Sequence, residues 1–289
     1  MASTIGDLLN RHAIEKREAQ MLLAHVLGVS RASVIAHNER ILDDAQEHLA
    51  NQLLARRAYG EPFAYLVGSR EFYGRDFMVS PATLIPRPET EIIVEQALAR
   101  LSGHKLPGMP ADVASTLVDA NTRPSILDLG TGSGAIAISI ALERPDTIVV
   151  AADFSRDALL VATENARRLN AAVEFIESNW YQNLAGRKFD LIVSNPPYVA
   201  GNDLHLSQGD LRFEPQSALT DKSPDGLASI REIVSGGPAH LNAGGWLLFE
   251  HGYDQREACH ELLLKAGFVN LTSVNDLAGI PRVAGGQIR

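Results

Sequence analysis

The sequence predicts an α/β protein: a doubly wound, mostly parallel sheet of seven strands, with a small all-α N-terminal domain joined to it by a β-hairpin. Three observations carry this. From residue 125 onward, short apolar runs alternate with segments of helical period, the pattern of strands crossed over by helices. Ser125-Ile-Leu-Asp-Leu-Gly-Thr-Gly-Ser-Gly134, running on into Ala135–Ala141, reads as strand, glycine turn and helix. Residues 1 to about 60 show helical spacing alone, and 71–79 alternate about Gly74-Arg75.

In order, residues 1–68 form the helical domain. Leu8, Leu9, Ile14, Met21, Leu22 and Leu23 recur at helical spacing, and Gly28 supplies a stop. Ser30 starts a short helix, and Asp43-Asp44 start another that carries Leu49, Leu53 and Leu54 and closes on Arg56-Arg57. The domain has no metal spacing, nucleophile or glycine loop; His12, His25, His37 and His48 are scattered and read as solvated or half-buried. Glu61–Gly68 leaves the helical pattern. Residues 69–84 are the hairpin linker, and 85–289 the larger domain. Leu84–Glu91 is a proline-fixed turn into a helix over 92–101, where Glu89 and Glu91 suit the helix start. Residues 102–124 read as a polar, proline-bearing loop, expected to be mobile and dispensable.

Strands are then expected at 125–129, 147–153, 173–177, 189–194, 244–250 and 269–274, with helices near 133–143, 155–169, 226–240 and 254–266. A last segment near 282–288 could add an edge strand. Ligands of such sheets sit outside the carboxyl ends of the strands. Asp128, Gly130, Asp153, Asn179 and Asn195 all fall on that rim.

Composition narrows the class. Hydrophobic content of 45% and charged content of 21% are those of a soluble globular chain. The single cysteine, Cys259, excludes an internal disulfide framework and fits a reducing compartment. No apolar run reaches spanning length and the first residues do not read as a secretory signal, so a cytoplasmic location without membrane contact is expected. A net charge of −9 argues against stable binding of naked nucleic acid.

The glycine loop alone leaves two cofactors open. Gly130-Thr131-Gly132-Ser133-Gly134-Ala135 satisfies the G-x-G-x-x-A dinucleotide fingerprint, and Asp153 could hold the ribose of either NAD or S-adenosylmethionine. Asn195-Pro196-Pro197-Tyr198 separates them. Prolines cannot donate, so their carbonyls are free to accept. An incoming NH2 could donate to the Asn195 side-chain oxygen and the Pro196 carbonyl, with Tyr198 stacked on the planar group. This cage suits a flat nitrogen nucleophile, whereas hydride transfer would want an acid or base near the reacting carbonyl. An activated methyl donor needs mainly in-line placement. Asn179 could bond an adenine amino group, and Trp180 could stack on the ring or serve as core.

Asp128-x-Gly-x-Gly-x-Gly134, Asp153 and Asn195–Tyr198 resemble class I S-adenosylmethionine-dependent methyltransferases that modify planar nitrogens, with a Rossmann-like fold. Pro62-x-x-Tyr-x-x-Gly68 with Glu71-Phe-Tyr-Gly74, Ile85-Pro-Arg-Pro-Glu-Thr-Glu91, and Phe213-Glu-Pro followed by Asp225-Gly-Leu227 resemble more narrowly the protein-(glutamine-N5) methyltransferases of peptide-chain release factors. The likeness spans nearly the whole chain. It implies methyl transfer from S-adenosylmethionine, leaving S-adenosylhomocysteine, to the Gly-Gly-Gln glutamine of class 1 release factors, with the helical domain docking the partner. It implies that Asp128, Gly130, Thr131, Gly132, Ser133, Gly134 and Asp153 hold the methionine and ribose parts, with Asn179 and Trp180 beside the adenine. Asn195, Pro196, Pro197 and Tyr198 would grip the glutamine amide, Asn195 bordering the cofactor as well. No metal and a monomer are expected. The family usually carries an acidic residue where Asn179 stands, and Leu277–Arg282 departs from its common charged pattern.

The rival readings are an adenine-N6 methyltransferase, an NAD-dependent oxidoreductase and a non-enzymatic release-factor adaptor. Gly285-Gly-Gln287 spells the family's target tripeptide near the end of this chain, which chance explains best; self-methylation or pseudosubstrate occupancy is the alternative.

Overall fold

The computed structural model describes residues 3–102 and 123–289, so residues 103–122 of the expected loop lie outside the described residues. The chain divides into two compact units, 1–69 with 207–213, and 70–206 with 214–289.

The first unit holds α1 (Ile5–Arg11), α2 (Lys16–Leu27), α3 (Arg31–Ala36), α4 (Asp44–Ala58) and α5 (Phe63–Val67). Thr4 with Asp7, and Asp43 with Gln46, form reciprocal capping boxes, and Gly28 ends α2 in the left-handed conformation. The helix ends are therefore written locally, while Leu8, Leu22, Leu23, Val34, Leu54 and Leu66 form the core. Leu66 belongs to α5, a helix where the departure of Glu61–Gly68 from the helical pattern predicted none. Pro62 opens it and Gly68, at φ 75°, closes it. His25, His37 and His48 are exposed and His12 is half-buried. Segment 207–213 joins this unit through an Arg57–Asp210 ion pair of 3.2 Å and an edge-on Tyr59–Phe213 ring contact.

The second unit opens with a hairpin of β1 (Ser69–Phe72) and β2 (Arg75–Met78), turning at Tyr73-Gly74, one residue earlier than the alternation placed it. Both turn residues have positive φ, the signature of a two-residue hairpin turn. After the proline turn come α6 (Glu91–Ser102), β3 (Ser125–Leu129), α7 (Ala135–Glu143), β4 (Ile148–Asp153), α8 (Arg156–Leu169), β5 (Val173–Glu177) and β6 (Phe189–Ser194). The chain continues through the short α9 (Gln216–Leu219), α10 (Ala228–His240), β7 (Leu241–Glu250), α11 (Arg256–Lys265), β8 (Val269–Asn275) and β9 (Pro281–Gln287). The seven strands run β5-β4-β3-β6-β7-β9-β8, parallel from β5 to β7.

Successive side chains of a strand face opposite sides, and here both sides are core. Ile126, Val149, Leu191, Trp246 and Leu248 pack toward α6 and α7. Leu127, Val150, Ile192, Leu247 and Phe249 pack toward α10 and α11. Continuous apolar runs are what a sheet covered on both faces requires. Among the described residues, no helix is long and apolar enough to cross a membrane.

The last strand is not at the edge. β9 lies between β7 and β8, antiparallel to both. Its glycines are close-approach residues: a Cβ on Gly285 would stand 2.4 Å from the Leu247 carbonyl, and one on Gly286 2.8 Å from Phe268 Cβ. Gln287 is buried, its Nε2 donating to the Gly244 carbonyl at 2.8 Å and its Oε1 accepting from Asn270 Nδ2 at 2.8 Å. Its amide is committed to the sheet. Incubation of the folded chain with S-adenosylmethionine should leave Gln287 unmethylated by mass spectrometry, and Gly286→Ala should lower stability by about 1–3 kcal/mol in denaturant titration.

Candidate active site

Register brings the two sequence motifs together. Leu129 pairs with Ala152 of β4 on one side and Ser194 of β6 on the other. From β3 the chain winds outward to β4 and β5, then returns to β6 on the opposite flank of β3. A crevice opens where winding reverses. A cavity of about 330 Å³ lies there, lined by Gly130, Thr131, Gly132, Ser133, Asp153, Asn179, Trp180, Asn195 and Pro197 among others.

Asp128, Gly134, Pro196 and Tyr198 do not line it, each for a structural reason. Asp128 is fully buried beneath the glycine loop, where its Oδ2 accepts from Thr131 Oγ1 at 2.7 Å and from the Ala137 amide at 3.3 Å. Its Oδ1 has no hydrogen-bond partner among the described residues. Asp128 thus fastens the loop to the first turn of α7. Gly134 serves packing: a Cβ would stand 2.8 Å from Ile138 Cδ1 and 3.2 Å from Ala162 Cβ. Pro196 is buried. The Tyr198 hydroxyl is turned to Glu250.

The loop's inner surface is backbone. The Gly130 and Thr131 amides donate to the Ala152 carbonyl at 2.8 and 3.0 Å, bending the chain across the end of β4. Asp153 is buried at that end; its Oδ2 accepts from the Gly132 amide and its Oδ1 from the Ser155 amide, both at 2.9 Å. Burial raises its carboxyl above the ordinary value, and these amide donors oppose the rise. Asn179 is exposed at the rim. Trp180 is half-buried, 3.4 Å from where a Gly130 Cβ would stand, and also packs on the core, so border and core roles coincide in one ring.

A second layer holds the Asn195 side of the cavity and was not visible in any motif spacing. Asn195 Nδ2 donates to Thr90 Oγ1 at 3.0 Å, and Thr90 Oγ1 donates to Glu250 Oε2 at 2.7 Å. The Tyr198 hydroxyl donates to Glu250 Oε1 at 2.8 Å. Gln255 Nε2 donates to the Tyr198 and Asp225 carbonyls at 3.0 and 2.8 Å. Gly226 passes so close beneath Tyr198 that a Cβ would stand 2.2 Å from its carbonyl oxygen. The proline turn is hung on the loop after β6, because buried Glu214 accepts from the Ile85 amide at 3.0 Å and from Arg87. Asn165 of α8 ties the hairpin to the glycine loop, donating to the Met78 and Ser133 carbonyls and accepting from the Met78 amide.

The lining discriminates between the two cofactors left open by the glycines. Asp153 and Asp157 line the cavity, and among the described residues no lysine or arginine does so. Two carboxylates favour a sulfonium and an ammonium group over a pyrophosphate. Gly132 borders the cavity and has no heavy atom within 4 Å of its missing Cβ position, so a side chain there would occupy ligand space. Among the described residues, no group of three His, Cys, Asp or Glu is placed to hold a metal ion.

Comparison with known proteins agrees with this geometry. Residues 4–68 match the family model "PrmC N-terminal domain" and 111–213 match "Methyltransferase small domain". The chain is 49% identical over 285 residues to a release factor glutamine methyltransferase of Bordetella pertussis, covering 98% of this chain and 99% of that one. It is 43% identical over 273 residues to the protein of the same name from Escherichia coli, covering 94% and 92%.

The chain belongs to the release factor glutamine methyltransferase family. It is an S-adenosylmethionine-dependent methyltransferase. Solved structures bear on the fold alone. A Pyrococcus furiosus methyltransferase matches with TM-score 0.52 at 18% identity, covering 82% of this chain and 98% of that one. A T. thermophilus 16S rRNA N2 G1207 methyltransferase in complex with AdoMet and guanosine matches with TM-score 0.52 at 18% identity, covering 76% and 50%.

In this methyltransferase the loop fastening has a measurable signature. Burial lifts the Asp128 carboxyl from 3.8 to about 7. The folded chain then holds a proton there that the unfolded chain has released, so stability falls as pH rises from about 4 to 7. Asp128→Asn should remove this component. Across that window the unaltered chain should lose about 1.4 kcal/mol per pH unit relative to the variant, read from denaturant midpoints at each pH.

Proposed function

We propose that this chain transfers a methyl group from S-adenosylmethionine to the side-chain nitrogen of the glutamine in the Gly-Gly-Gln motif of class 1 release factors, and so modulates translation termination. The observation that carries the reading is that Asn195, its NH2 engaged by Thr90, lines the same cavity as the glycine loop. The relatives' shared name supplies the class of acceptor.

Gly130 to Ser133 would hold the methionine part of the cofactor through backbone groups, Asp153 the ribose hydroxyls, and Asn179 with Trp180 the adenine. The cofactor, when bound, supplies an activated methyl on sulfur. Asn195 Oδ1 and the Pro196 carbonyl would each accept one hydrogen of the glutamine NH2, which turns the nitrogen lone pair toward the cofactor side of the cavity. Tyr198 would face the planar amide, its hydroxyl anchored at Glu250. No proton-shuttling residue is needed before transfer; positioning supplies most of the rate. We further read the chain as a cytoplasmic monomer; its net charge of −9 supports the absence of stable nucleic-acid binding.

Purified chain incubated with labelled methyl donor should methylate a class 1 release factor, but neither the same factor with its target glutamine replaced nor DNA. Label in DNA would favour an adenine acceptor instead. Asn195→Ala should keep cofactor binding and lose at least about 10²-fold in kcat/KM for the factor.

A further inference from the structure

Asn195 can grip an NH2 group only with its carbonyl oxygen, so its amide must be held one way round. The amide itself does not decide this, because both ends of a carboxamide hydrogen-bond equally well to a hydroxyl. Thr90 Oγ1 could accept from Nδ2 or donate to Oδ1.

Glu250 decides it. The residue ends β7 and is 2% exposed. Its Oε2 lies 2.7 Å from Thr90 Oγ1 and its Oε1 lies 2.8 Å from the Tyr198 hydroxyl. A carboxylate only accepts, so each hydroxyl must spend its one hydrogen on Glu250. The Thr90 oxygen is then left as an acceptor, and the group it faces at 3.0 Å has to be the Asn195 NH2. The Asn195 oxygen is turned by elimination toward the cavity that Asn195 and Thr90 both line.

We infer that Glu250 is a positioning residue that sets, through Thr90, the orientation of the Asn195 carboxamide, and thereby selects a substrate carboxamide over a carboxylate. The inference deepens the proposed glutamine methylation and rests on it. A buried carboxylate is otherwise costly to keep, and a neutral side chain would satisfy packing alone. Burial, with a smaller push from the Glu89 charge, raises the Glu250 carboxyl above its ordinary value, while hydrogen bonds from Thr90 and Tyr198 and the nearby Arg282 charge oppose that rise. A glutamine at this position has one accepting oxygen for the two hydroxyls; the more acidic Tyr198 phenol takes it, so the glutamine NH2 faces Thr90 and the Thr90 hydroxyl is released to donate to Asn195 Oδ1. The turned Asn195 would then present NH2 to the incoming NH2, two donors facing each other, but would suit a carboxylate.

Glu250→Gln, Thr90→Val and Thr90→Ser separate this role from a merely structural one. Three readouts are compared with the unaltered enzyme: cofactor affinity, kcat and KM for a class 1 release factor, and inhibition by the same factor with its target glutamine replaced by glutamate. Glu250→Gln should keep cofactor affinity and lose roughly 10- to 100-fold in kcat/KM. The glutamate-bearing factor should inhibit it more tightly than it inhibits the unaltered enzyme. Thr90→Val should likewise lose the preference for glutamine over glutamate, and Thr90→Ser, which keeps the hydroxyl, should restore it. The Thr90 pair decides the matter should Glu250→Gln fail to fold. Unchanged kcat/KM in Glu250→Gln overturns the inference, as does a loss of rate with the glutamine-over-glutamate preference intact in both Glu250→Gln and Thr90→Val. An unaltered enzyme that transfers no methyl to the release factor removes the glutamine reading itself, and the inference with it.

Discussion

The Ser194 hydroxyl donates to the Leu129 carbonyl at 2.7 Å, and both residues are fully buried. The bond ties the exit of β6 to the exit of β3 at the one place in the sheet where winding reverses. Gly130 follows Leu129 and Asn195 follows Ser194, so a side-chain bond between neighbouring strands fixes the separation of the two halves of the site. Backbone pairing alone would align the strands. The extra bond stops their ends from splaying where no further ladder bond can form, and it costs nothing in exposed polar surface.

Outside that seam the site is assembled around buried carboxylates. Asp128 fastens the glycine loop to α7, Glu214 fastens the proline turn to the segment after β6, and Glu250 gathers Thr90 and Tyr198. Each joins segments that the backbone ladder does not connect. A carboxylate can accept from several donors at once, which makes it suited to drawing loops together. The cost of burying charge is offset only while those donors are present, so the loops and the carboxylates hold one another in place. This is why the rim can be rigid although most of it is not regular structure.

How far this was legible in the sequence follows from the range of the interactions. The strands and helices of the second unit announce themselves because their apolar runs and lengths are local, although among α7, α8, α10 and α11 only α8 carries a side-chain cap, Ser155. Their common rim followed from the alternation of elements, since parallel strands point one way. The position of β9 did not, because a strand's neighbours are chosen by long-range pairing, and nothing within Pro281–Gln287 records that Phe249 and Ser273 will flank it. Helix α5 was missed since five residues between Pro62 and Gly68 are too few to show a period. Thr90 and Glu250 are 160 residues apart and meet through one hydrogen bond. Pairing of that kind leaves no spacing signal. Asp128 was visible as part of the motif, yet its side chain turns away from the cavity to the loop's underside, a direction that spacing does not specify.

The buried Gly285-Gly-Gln287 shows why a tripeptide is not by itself a substrate. Its glutamine carries the same NH2 that we propose the Asn195 side of the cavity receives, but one donor is already given to the Gly244 carbonyl and the residue is 7% exposed. Reaching the cavity would mean stripping β9 from both β7 and β8, with the loss of ladder bonds on each side. The two glycines do not confer flexibility here. They let the strand lie against Leu247 and Phe268, where any side chain would collide. In a target loop the same glycines would have the opposite consequence, leaving the glutamine free to enter a narrow cage. Reactivity toward this site is therefore a property of an amide with its hydrogens unspent on a backbone free to move, and the letters of the tripeptide matter only where the surrounding fold leaves both conditions met.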